Sequence, residues 1–490
     1  MLLLAIHWVY SAFWQLNVLA PEWGSLLALV LGIALYVFRK QLKQVYAFLM
    51  RHKTWILLAV GLFQVGLLLS AELLIRRDAA VVFTGAFKIL KEQSISNYLT
   101  RNPNNMSLFL YERFFYSMFG TNALWVLQAI NLLCADITAV FLYKAGKKHF
   151  GPAVGDGVFT FYVLLLGFSP FFMAMYTDIL ILPLVSLQLL LGLDLLKEEE
   201  RRVRLRKSVL LGFLTAVAML FRPTTVILLV ALWVVIFFKS SWRQWLPSLA
   251  VLGLAFAVPF GIGSYAVKHQ TQVPLVKGEG LAKGPLLFIN LGLTYTGTDQ
   301  WDMKQGLLEY IPESERKNYN NGMFATENVK KEIVRRWKAY TPMSFLDHME
   351  YKQRWSVMDG TLDWMYYKDV DEEKTPYVSP LYERVKGNAV ATWIRNHFIS
   401  FDHEDYKGHA IFKQLVWIGM AIGLVLVFLR FRIEDWDLNF MTLAIFGGLL
   451  FLAIFEGGKT RYLIQFLPQI LMAATLGWTR YRPFSKDRSL

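Results

Sequence analysis

An acidic side chain stands where a predicted membrane span leaves the bilayer. Asp78 follows the apolar run 62–75 and two adjacent arginines, Arg76 and Arg77. An acid at such a boundary is costly unless it has a partner or a function. An ion pair with a neighbouring arginine would explain Asp78, but Glu72 lies four residues before Arg76 and can pair with it along the helix. We therefore predict that Asp78 is a catalytic acid or base at a membrane surface.

A second acid lies in a short break between two predicted spans, in the sequence Tyr176-Thr177-Asp178. The simpler interpretation is a helix cap, in which Thr177 or Asp178 accepts a backbone N–H of the following span. The topology given below puts this break on the same side of the membrane as Asp78. We predict that the two acids face each other and that Asp178 is the second catalytic residue.

Two basic loops fall on that same side. Arg222 sits in a tight hairpin deep in apolar sequence, where an arginine either extends to lipid headgroups or binds an anion. The loop that begins at Glu456 has two glycines, predicted to expose backbone N–H groups, followed by Lys459 and Arg461. It is either an ordinary polar hairpin or a phosphate cradle. Two acids and two basic loops at span ends together predict a site for an anionic, lipid-linked substrate.

The composition sets the class of protein. Of 490 residues, 55% are hydrophobic and only 18% are charged, which is too apolar for a soluble chain of this length. Apolar runs of span length recur many times, so we predict a polytopic helical membrane protein. The lone Cys134 lies in an apolar run, so no intrachain disulfide is expected. His397, His403 and His409 match no metal-ligand spacing.

The predicted fold class is an all-α polytopic membrane protein with about twelve transmembrane helices. The spans are predicted near residues 2–20, 24–38, 54–75, 121–143, 153–170, 172–196, 208–221, 223–238, 246–266, 411–429, 438–455 and 462–478. Six short polar segments on one side carry 22 of the 51 Lys and Arg residues, which places that side and both termini in the cytoplasm. The net charge of +14 is thus mostly a topology signal, and no nucleic-acid partner is expected.

Four regions follow from this arrangement. Residues 1–53 hold two extra spans and a cytoplasmic linker, with the first span retained. Residues 54–266 form the main transmembrane module, including the first external loop 76–120. Residues 267–410 are predicted to be a mixed extracellular domain between the ninth and tenth spans, with a helix around 326–340. Residues 411–490 hold the last spans and a cytoplasmic tail.

The order of these motifs resembles the C-type glycosyltransferases (GT-C), polytopic enzymes that take a sugar from a polyprenyl-phosphate donor. Residues 102–120 are similar to the loop end in bacterial members related to protein mannosyltransferases, where a Pro/Asn cluster precedes an apolar helix ending in Phe-Gly. Tyr176-Thr177-Asp178 is similar to the second acidic loop of the family, and Arg461-Tyr462 to its closing Arg-Tyr motif. Residues 355–364 are similar to a variant of Gram-positive bacteria.

The resemblance implies a mechanism and a set of site residues. Asp78 acts as the general base on an acceptor hydroxyl, and inversion at the anomeric carbon is expected. The implied catalytic residues are Asp78 and Asp178. The implied ligands of the donor phosphate are Arg77, Arg222, Lys459, Arg461 and Tyr462. The implied acceptor and loop residues are Asn104, Asn105, Glu112 and Glu456.

This sequence departs from the family in its first loop. Many members have two adjacent acids there, whereas Asp78 is followed by Ala79 and Ala80. No metal ligands are therefore assigned, and a divalent cation, Mg²⁺ or Mn²⁺, stays open as a cofactor. The expected partners are a polyprenyl-phosphate sugar such as an undecaprenyl-phosphate sugar, membrane lipids, and a glycan, lipid or protein acceptor at the cell surface.

Three other functions are compatible with the same sequence. A ligase or polymerase would move cell-wall glycans or teichoic-acid chains from a polyprenyl diphosphate, using the same cradle. A flippase or transporter of lipid-linked sugars would need polar residues across the membrane midplane, and the apolar spans offer few. A non-catalytic scaffold would tolerate the loss of both external acids.

Overall fold

A computed structural model describes residues 1–71, 77–239, 242–364, 384–385 and 387–480. The described residues form helices, turns and loops, with no strand among them, which confirms the predicted all-α class. The helices, in chain order, are α1 (Leu2–Leu19), α2 (Gly24–Val37), α3 (Arg39–Arg51), α4 (Lys53–Ser70), α5 (Arg77–Ala86), α6 (Glu92–Arg101), α7 (Met106–Phe119), α8 (Ala123–Phe150), α9 (Pro152–Tyr162), α10 (Thr177–Leu180), α11 (Leu182–Lys197), α12 (Arg201–Phe221), α13 (Val226–Lys239), α14 (Trp242–Lys268), α15 (Pro285–Gly292), α16 (Gln300–Leu308), α17 (Thr326–Ala339), α18 (Pro342–Val357), α19 (Ala389–Phe398), α20 (Tyr406–Leu429), α21 (Trp436–Ile454) and α22 (Leu467–Arg480).

Every predicted span overlaps one of these helices, but their lengths differ. Seven helices of the described residues are long and apolar enough to cross a membrane, and the pair α2–α3, bent by 83°, would make an eighth. Two further apolar stretches, Pro152–Gly167 and Pro223–Lys239, are shorter. The number of twelve spans therefore stays a prediction, while several membrane-spanning helices are present.

The helices differ in how much of their surface other helices cover. α20 packs along both α1 and α22, and Trp8 and Trp417 meet between α1 and α20 with ring centroids 5.5 Å apart. By contrast, α2 exposes apolar side chains on all sides, and only 11% of the apolar stretch Trp245–Lys268 is buried. A helix that is apolar all round and exposed is suited to lipid contact. The bundle thus has an inner group of helices and an outer layer.

Ion pairs link the helix ends at the side that carries the short basic segments. Asp194, near the end of α11, contacts Lys148, His149 and Lys207 at 2.5, 2.8 and 3.3 Å. Lys197 pairs with Asp437 at 2.6 Å, which ties α11 to the start of α21. The excess of basic residues that guided the topology prediction is thus partly neutralised by acids within the same end of the bundle.

The segment between α14 and α20 is helical where it is described, rather than mixed as predicted. Its own apolar core is formed by Leu287, Leu291, Met303, Leu307, Ile311, Met323, Phe324 and Val329. The predicted helix 326–340 is present as α17. Apolar residues here repeat at helical spacing, as Val329 and Ile333 do, and that spacing cannot place one face of a strand against a core. Residues 365–383 lie outside the described part.

A buried lysine joins this segment to the membrane helices. Lys352 of α18 is 1% exposed, and its ammonium donates to the carbonyls of Gly292, Ala453 and Phe455 at 2.9, 2.8 and 3.0 Å. Two of those carbonyls belong to the C-terminal end of α21, where the last carbonyls of a helix lack intrahelical donors. Lys352 therefore caps α21 and fixes α18 above it.

Candidate functional site

Elements from four distant parts of the chain meet at one end of the bundle. The first part supplies the first turn of α5 and the turn before α7. The second is the short helix α10, the third is the chain at the end of α12, and the fourth is the 3₁₀ helix Thr460–Phe466. Asp78 lies in the first turn of α5, Asp178 lies in α10, Arg222 directly follows α12, and Arg461 lies in the 3₁₀ helix.

Asp178 binds two arginines at once. Its Oδ1 accepts from Nη1 of Arg222 at 2.5 Å, and its Oδ2 accepts from Nε of Arg461 at 3.0 Å. The Asp178 side chain is only 2% exposed, whereas that of Arg461 is 36% exposed. A buried carboxylate with a cation on each oxygen is fully paired, so it holds the two guanidinium groups in place. Arg461 keeps an open side that an anion can reach.

The cap interpretation of the second acidic loop does not hold. Tyr176 is the N-cap residue of α10, and no side chain accepts a hydrogen bond there. The hydroxyl of Thr177 instead accepts from Nη1 of Arg222 at 3.2 Å. Thr177 and Asp178 therefore both serve the arginine rather than the helix.

A chain of hydrogen bonds runs from Asp78 toward the arginines. The Tyr98 hydroxyl donates to Oδ1 of Asp78 at 2.9 Å, and Nδ2 of Asn105 donates to the Tyr98 oxygen at 2.7 Å. The Tyr176 hydroxyl donates to Oδ1 of Asn105 at 2.9 Å, and the Arg461 guanidinium lies 5.0 Å from the Tyr176 ring centroid. Asp78 itself is exposed. The structure thus brings an exposed carboxylate and an arginine pair into one connected network.

Both tyrosines of this network stay protonated at neutral pH. Burial raises the pKa of Tyr98 far above its usual value, and the negative charge of Asp78 raises it further. Burial likewise raises the pKa of Tyr176 to about 12. A tyrosine that keeps its proton keeps donating its hydrogen bond. At neutral pH, Tyr98 is therefore the donor to Asp78, and Tyr176 is the donor to Asn105.

The glycine loop does not offer its backbone as predicted. The N–H of Gly457 donates to the Gly297 carbonyl at 3.3 Å, and that of Gly458 to Oγ of Ser356 at 3.1 Å. Both donors are used to dock the loop on the segment before α20, so a backbone phosphate cradle at these glycines is ruled out. Gly458 has φ +84°, and a Cβ there would lie 2.6 Å from the Thr296 carbonyl oxygen. The glycines allow close docking instead.

Three side chains of this loop remain near the site. The Tyr462 hydroxyl donates to Oε1 of Glu456 at 2.7 Å, and the Lys459 ammonium lies 6.0 Å from the Tyr462 ring centroid. All three are half-buried. Lys459 and Arg461 add positive charge on the same short stretch.

Asp363 is a site residue that the sequence did not single out. Its Oδ2 accepts the backbone N–H of Arg461 at 2.9 Å. Its own N–H donates to Oδ2 of Asp359 at 2.9 Å, and both Leu362 and Asp363 have positive φ, at 59° and 55°. Burial, and then the charge of Asp359, raise the pKa of Asp363 to about 7. A titratable carboxyl therefore lies directly against the Arg461 backbone.

Gln465 and Lys283 were also missed. Oε1 of Gln465 accepts from Nε of Arg222 at 3.1 Å and from the Thr224 hydroxyl. Burial lowers the pKa of Lys283, against the opposing effect of the Asp78 carboxylate. Gln465 was recognisable as a polar residue in an apolar run, and Lys283 as a cation in a glycine-rich loop. Neither signal identifies the partner, because Arg222 and Asp78 lie more than 200 residues earlier in the chain.

Not all predicted site residues join this network. Asn104 is exposed and bonds Asn105 at 3.5 Å, at the limit of a hydrogen bond. Glu112 is 1% exposed within α7, and neither of its oxygens has a hydrogen-bond partner in the described part of the chain. The side chain of Arg77 lies outside the described residues, as do Arg76 and Glu72, so the ion pair suggested for Glu72 and Arg76 stays a prediction.

A metal ion finds no matching set of ligands among the described residues. Across residues 1–71, 77–239, 242–364 and 387–480, no group of three or more His, Cys, Asp or Glu side chains is arranged so that it could hold a metal ion. Both oxygens of Asp178 are held by arginines.

Comparison with known proteins identifies the family. A family model described as "Conserved hypothetical integral membrane protein" matches residues 20–481, nearly the whole chain. The chain belongs to this family. No curated protein matches it significantly. The family description agrees with the apolar helices and establishes an integral membrane protein.

Two solved structures are similar to this family member, both of ArnT from Cupriavidus metallidurans. The apo structure has a TM-score of 0.35 and 13% identity, and the structure bound to undecaprenyl phosphate has a TM-score of 0.34 and 12% identity. Each alignment covers 87% of this chain and 78% of the ArnT chain. At these TM-scores, the likeness supports no conclusion about fold or activity.

Proposed function

We propose that this membrane protein is a GT-C-type glycosyltransferase that moves a sugar from a polyprenyl-phosphate donor to an acceptor hydroxyl at the outer face of the cell membrane. The observation that supports this best is the network itself, in which an exposed Asp78 is connected through Tyr98, Asn105 and Tyr176 to the half-open Arg461. A carboxylate and a cation at the two ends of one site match the two groups that such a transfer requires.

The proposed reaction needs a proton acceptor on one side of the sugar and charge stabilisation on the other. Asp78 takes the proton of the acceptor hydroxyl as its oxygen attacks the anomeric carbon. The bond from that carbon to the phosphate oxygen breaks, and its electron pair leaves with the polyprenyl phosphate. Arg461 and Arg222 stabilise the charge that grows on the departing phosphate. A single in-line displacement inverts the anomeric configuration.

Asp178 has a different role from Asp78 in this mechanism. Because both of its oxygens bind arginines, it is a positioning residue rather than a proton acceptor or an acceptor ligand. In this proposal Lys459 and Lys283 add positive charge around the phosphate, and Tyr462 lies beside Lys459. The helical segment before α20 covers the loop that carries Arg461. The apolar helix surfaces provide the place for the isoprenoid tail.

The test is an assay of Asp78→Asn with the purified protein. Incubation with a panel of polyprenyl-phosphate monosaccharides and polyprenyl-diphosphate oligosaccharides reveals which donor the wild-type protein consumes. We expect a monophosphate to be consumed, and the variant to lose at least about 100-fold in kcat, the usual contribution of a positioned base. Full transfer by a folded Asp78→Asn protein would refute the assignment, and consumption of the diphosphate alone would identify a ligase or polymerase.

A further inference from the structure

A polar cavity lies at the end of α5 opposite to Asp78. It has a volume of about 380 Å³ and is lined by Gly85, Lys88, Leu90, Glu92, Ile95, Arg113, Thr271, Gln272 and Val273. At 1.5 Å per residue, the seven residues from Asp78 to the lining residue Gly85 separate it from the proposed catalytic end by roughly 10 Å along α5. No residue of the network from Asp78 to Arg461 lines this cavity, so it is a separate place in the fold.

Arg113 places a largely buried guanidinium group in the wall of this cavity. The residue is 9% exposed, its Nη2 donates to the Gly85 carbonyl at 2.8 Å, and its guanidinium lies 5.1 Å from the Phe109 ring centroid. Its Nε has no hydrogen-bond partner in the described part of the chain. The positive charge of this largely buried guanidinium therefore lies in the cavity wall, where an anion in the adjacent space would be stabilised by it.

The cavity walls are fixed independently of any ligand. Gly85 packs so closely on α6 that a Cβ would lie 2.4 Å from the Ile95 side chain. The loop that supplies Thr271 to Val273 is folded around Gln270, whose Oε1 accepts the N–H groups of Gln272 and Val273 at 2.8 and 3.1 Å. The space beside Arg113 is thus part of the folded structure.

The lining indicates what kind of anion fits. Lys88 and Arg113 supply two positive charges against the single carboxylate of Glu92. Lys88 and Glu92 are exposed and stand at the edge, while Arg113 lies inside. Phosphate oxygens suit the two cations, and hydroxyl groups suit the Glu92 carboxylate together with the polar side chains of Thr271 and Gln272.

We propose that this cavity binds a phosphate ester that carries hydroxyl groups, of the glycerophosphate kind. Such a group is found both in anionic membrane lipids and in soluble glycerol phosphates. The site is distinct from the proposed transferase site, so its test requires no transfer activity.

The experiment measures ligand binding to the purified full-length protein. Native mass spectrometry counts phosphatidylglycerol and phosphatidylcholine retained in detergent, and calorimetry measures glycerol 1-phosphate and inorganic phosphate. We expect phosphatidylglycerol or glycerol 1-phosphate to bind, and Arg113→Gln and Lys88→Gln each to weaken that binding about tenfold, as the loss of a charge-assisted hydrogen bond does. Lys91→Gln removes an exposed charge just outside the cavity and serves as the matched control.

Each outcome decides the proposal. Weakened binding of phosphatidylglycerol alone supports a lipid source, and weakened binding of glycerol 1-phosphate as well supports recognition of the free headgroup. Equal retention of phosphatidylcholine, or variants that bind as the wild type and Lys91→Gln do, would overturn it. If Arg113→Gln fails to fold because its bond to Gly85 is lost, the comparison of Lys88→Gln with Lys91→Gln decides alone.

Discussion

Asp78 and Asp178 are both aspartates at helix ends on one side of the bundle, yet their surroundings give them opposite properties. Asp78 is exposed and accepts one hydrogen bond from a tyrosine, so a substrate can approach it. Asp178 is buried and both of its oxygens bind arginines. Removing one member of a buried pair leaves the other charges uncompensated, whereas removing an exposed acid does not.

This contrast predicts different stabilities for two matched variants. Asp178→Asn should lower the free energy of unfolding by about 3 kcal/mol, because Arg222 and Arg461 lose their shared counter-charge. Asp78→Asn should unfold at the same temperature as the wild type while losing transfer. Thermal unfolding of both proteins in the same detergent, with the exposed Asp347→Asn as the control, makes the comparison. An unchanged midpoint for Asp178→Asn would contradict the paired state.

Asp363 predicts a pH dependence. Its pKa is raised from 3.8 to about 7, so the carboxyl is neutral below about pH 7 and negative above it. Ionisation puts a negative charge beside Arg461 and Lys459, which should raise KM for the donor about three- to tenfold between pH 6 and pH 8. Asp363→Asn should remove this rise. A wild-type KM that is the same at both pH values would count against it.

The same pKa has a consequence for stability, with a defined sign. The folded protein holds a proton on Asp363 between about pH 4 and pH 7 that the unfolded chain has released. Its contribution to stability therefore falls as the pH rises through that window. The unfolding midpoint of Asp363→Asn should decline less over this window than that of the wild type.

At the scale of elements, hydropathy and charge predicted the helices well because both are local properties of the chain. The predicted helix 326–340 and the overlap of every predicted span with a helix follow from that. The sequence placed Asp178, Arg222 and Arg461 on the same side of the membrane, but it did not predict that they form ion pairs. The glycine loop was misjudged because the partners of its N–H groups, Gly297 and Ser356, lie more than 100 residues before it.

Lys352 gives a prediction at this scale. Its ammonium is the donor for three carbonyls, two of them at the end of α21. Lys352→Met keeps the length of the side chain but removes this donor from the Ala453 and Phe455 carbonyls, while the Gly292 carbonyl keeps its contact with His348, and the loss should cost about 2–4 kcal/mol of stability. Thermal unfolding measures the loss, and Lys338→Met, on the exposed side of α17, is the control. Equal midpoints for the two variants would contradict the capping role.

The lysine also adds a pH effect of its own. Burial lowers the pKa of Lys352 to about 8. The unfolded chain binds this proton more tightly than the folded protein does, so the stability of the wild type should rise between about pH 8 and pH 10, and Lys352→Met should lack that rise.

At the scale of the whole molecule, the basic segments and the proposed catalytic network lie at opposite ends of the bundle. The positive-inside rule then assigns the network to the outer face. This orientation can be tested without any knowledge of the substrate.

Site-directed labelling provides that test. In a Cys134→Ala background, Lys304→Cys lies in the segment before α20 and Arg202→Cys lies in the basic segment at the start of α12, and both positions are exposed. A membrane-impermeant maleimide should label Lys304→Cys in intact cells, and Arg202→Cys only after permeabilisation. The reverse pattern would place both termini outside and the network in the cytoplasm.

The arginine pair also has a consequence for biosynthesis. Arg461 reaches Asp178 across 283 positions of the chain, and Gln465 reaches Arg222 across 243. While the ribosome is still delivering α14, Asp178 and Arg222 already have each other, but the last guanidinium has not been made. Asp178 and Arg222 can therefore pair during synthesis, whereas the proposed catalytic network becomes complete only after the 3₁₀ helix that precedes α22 has been made.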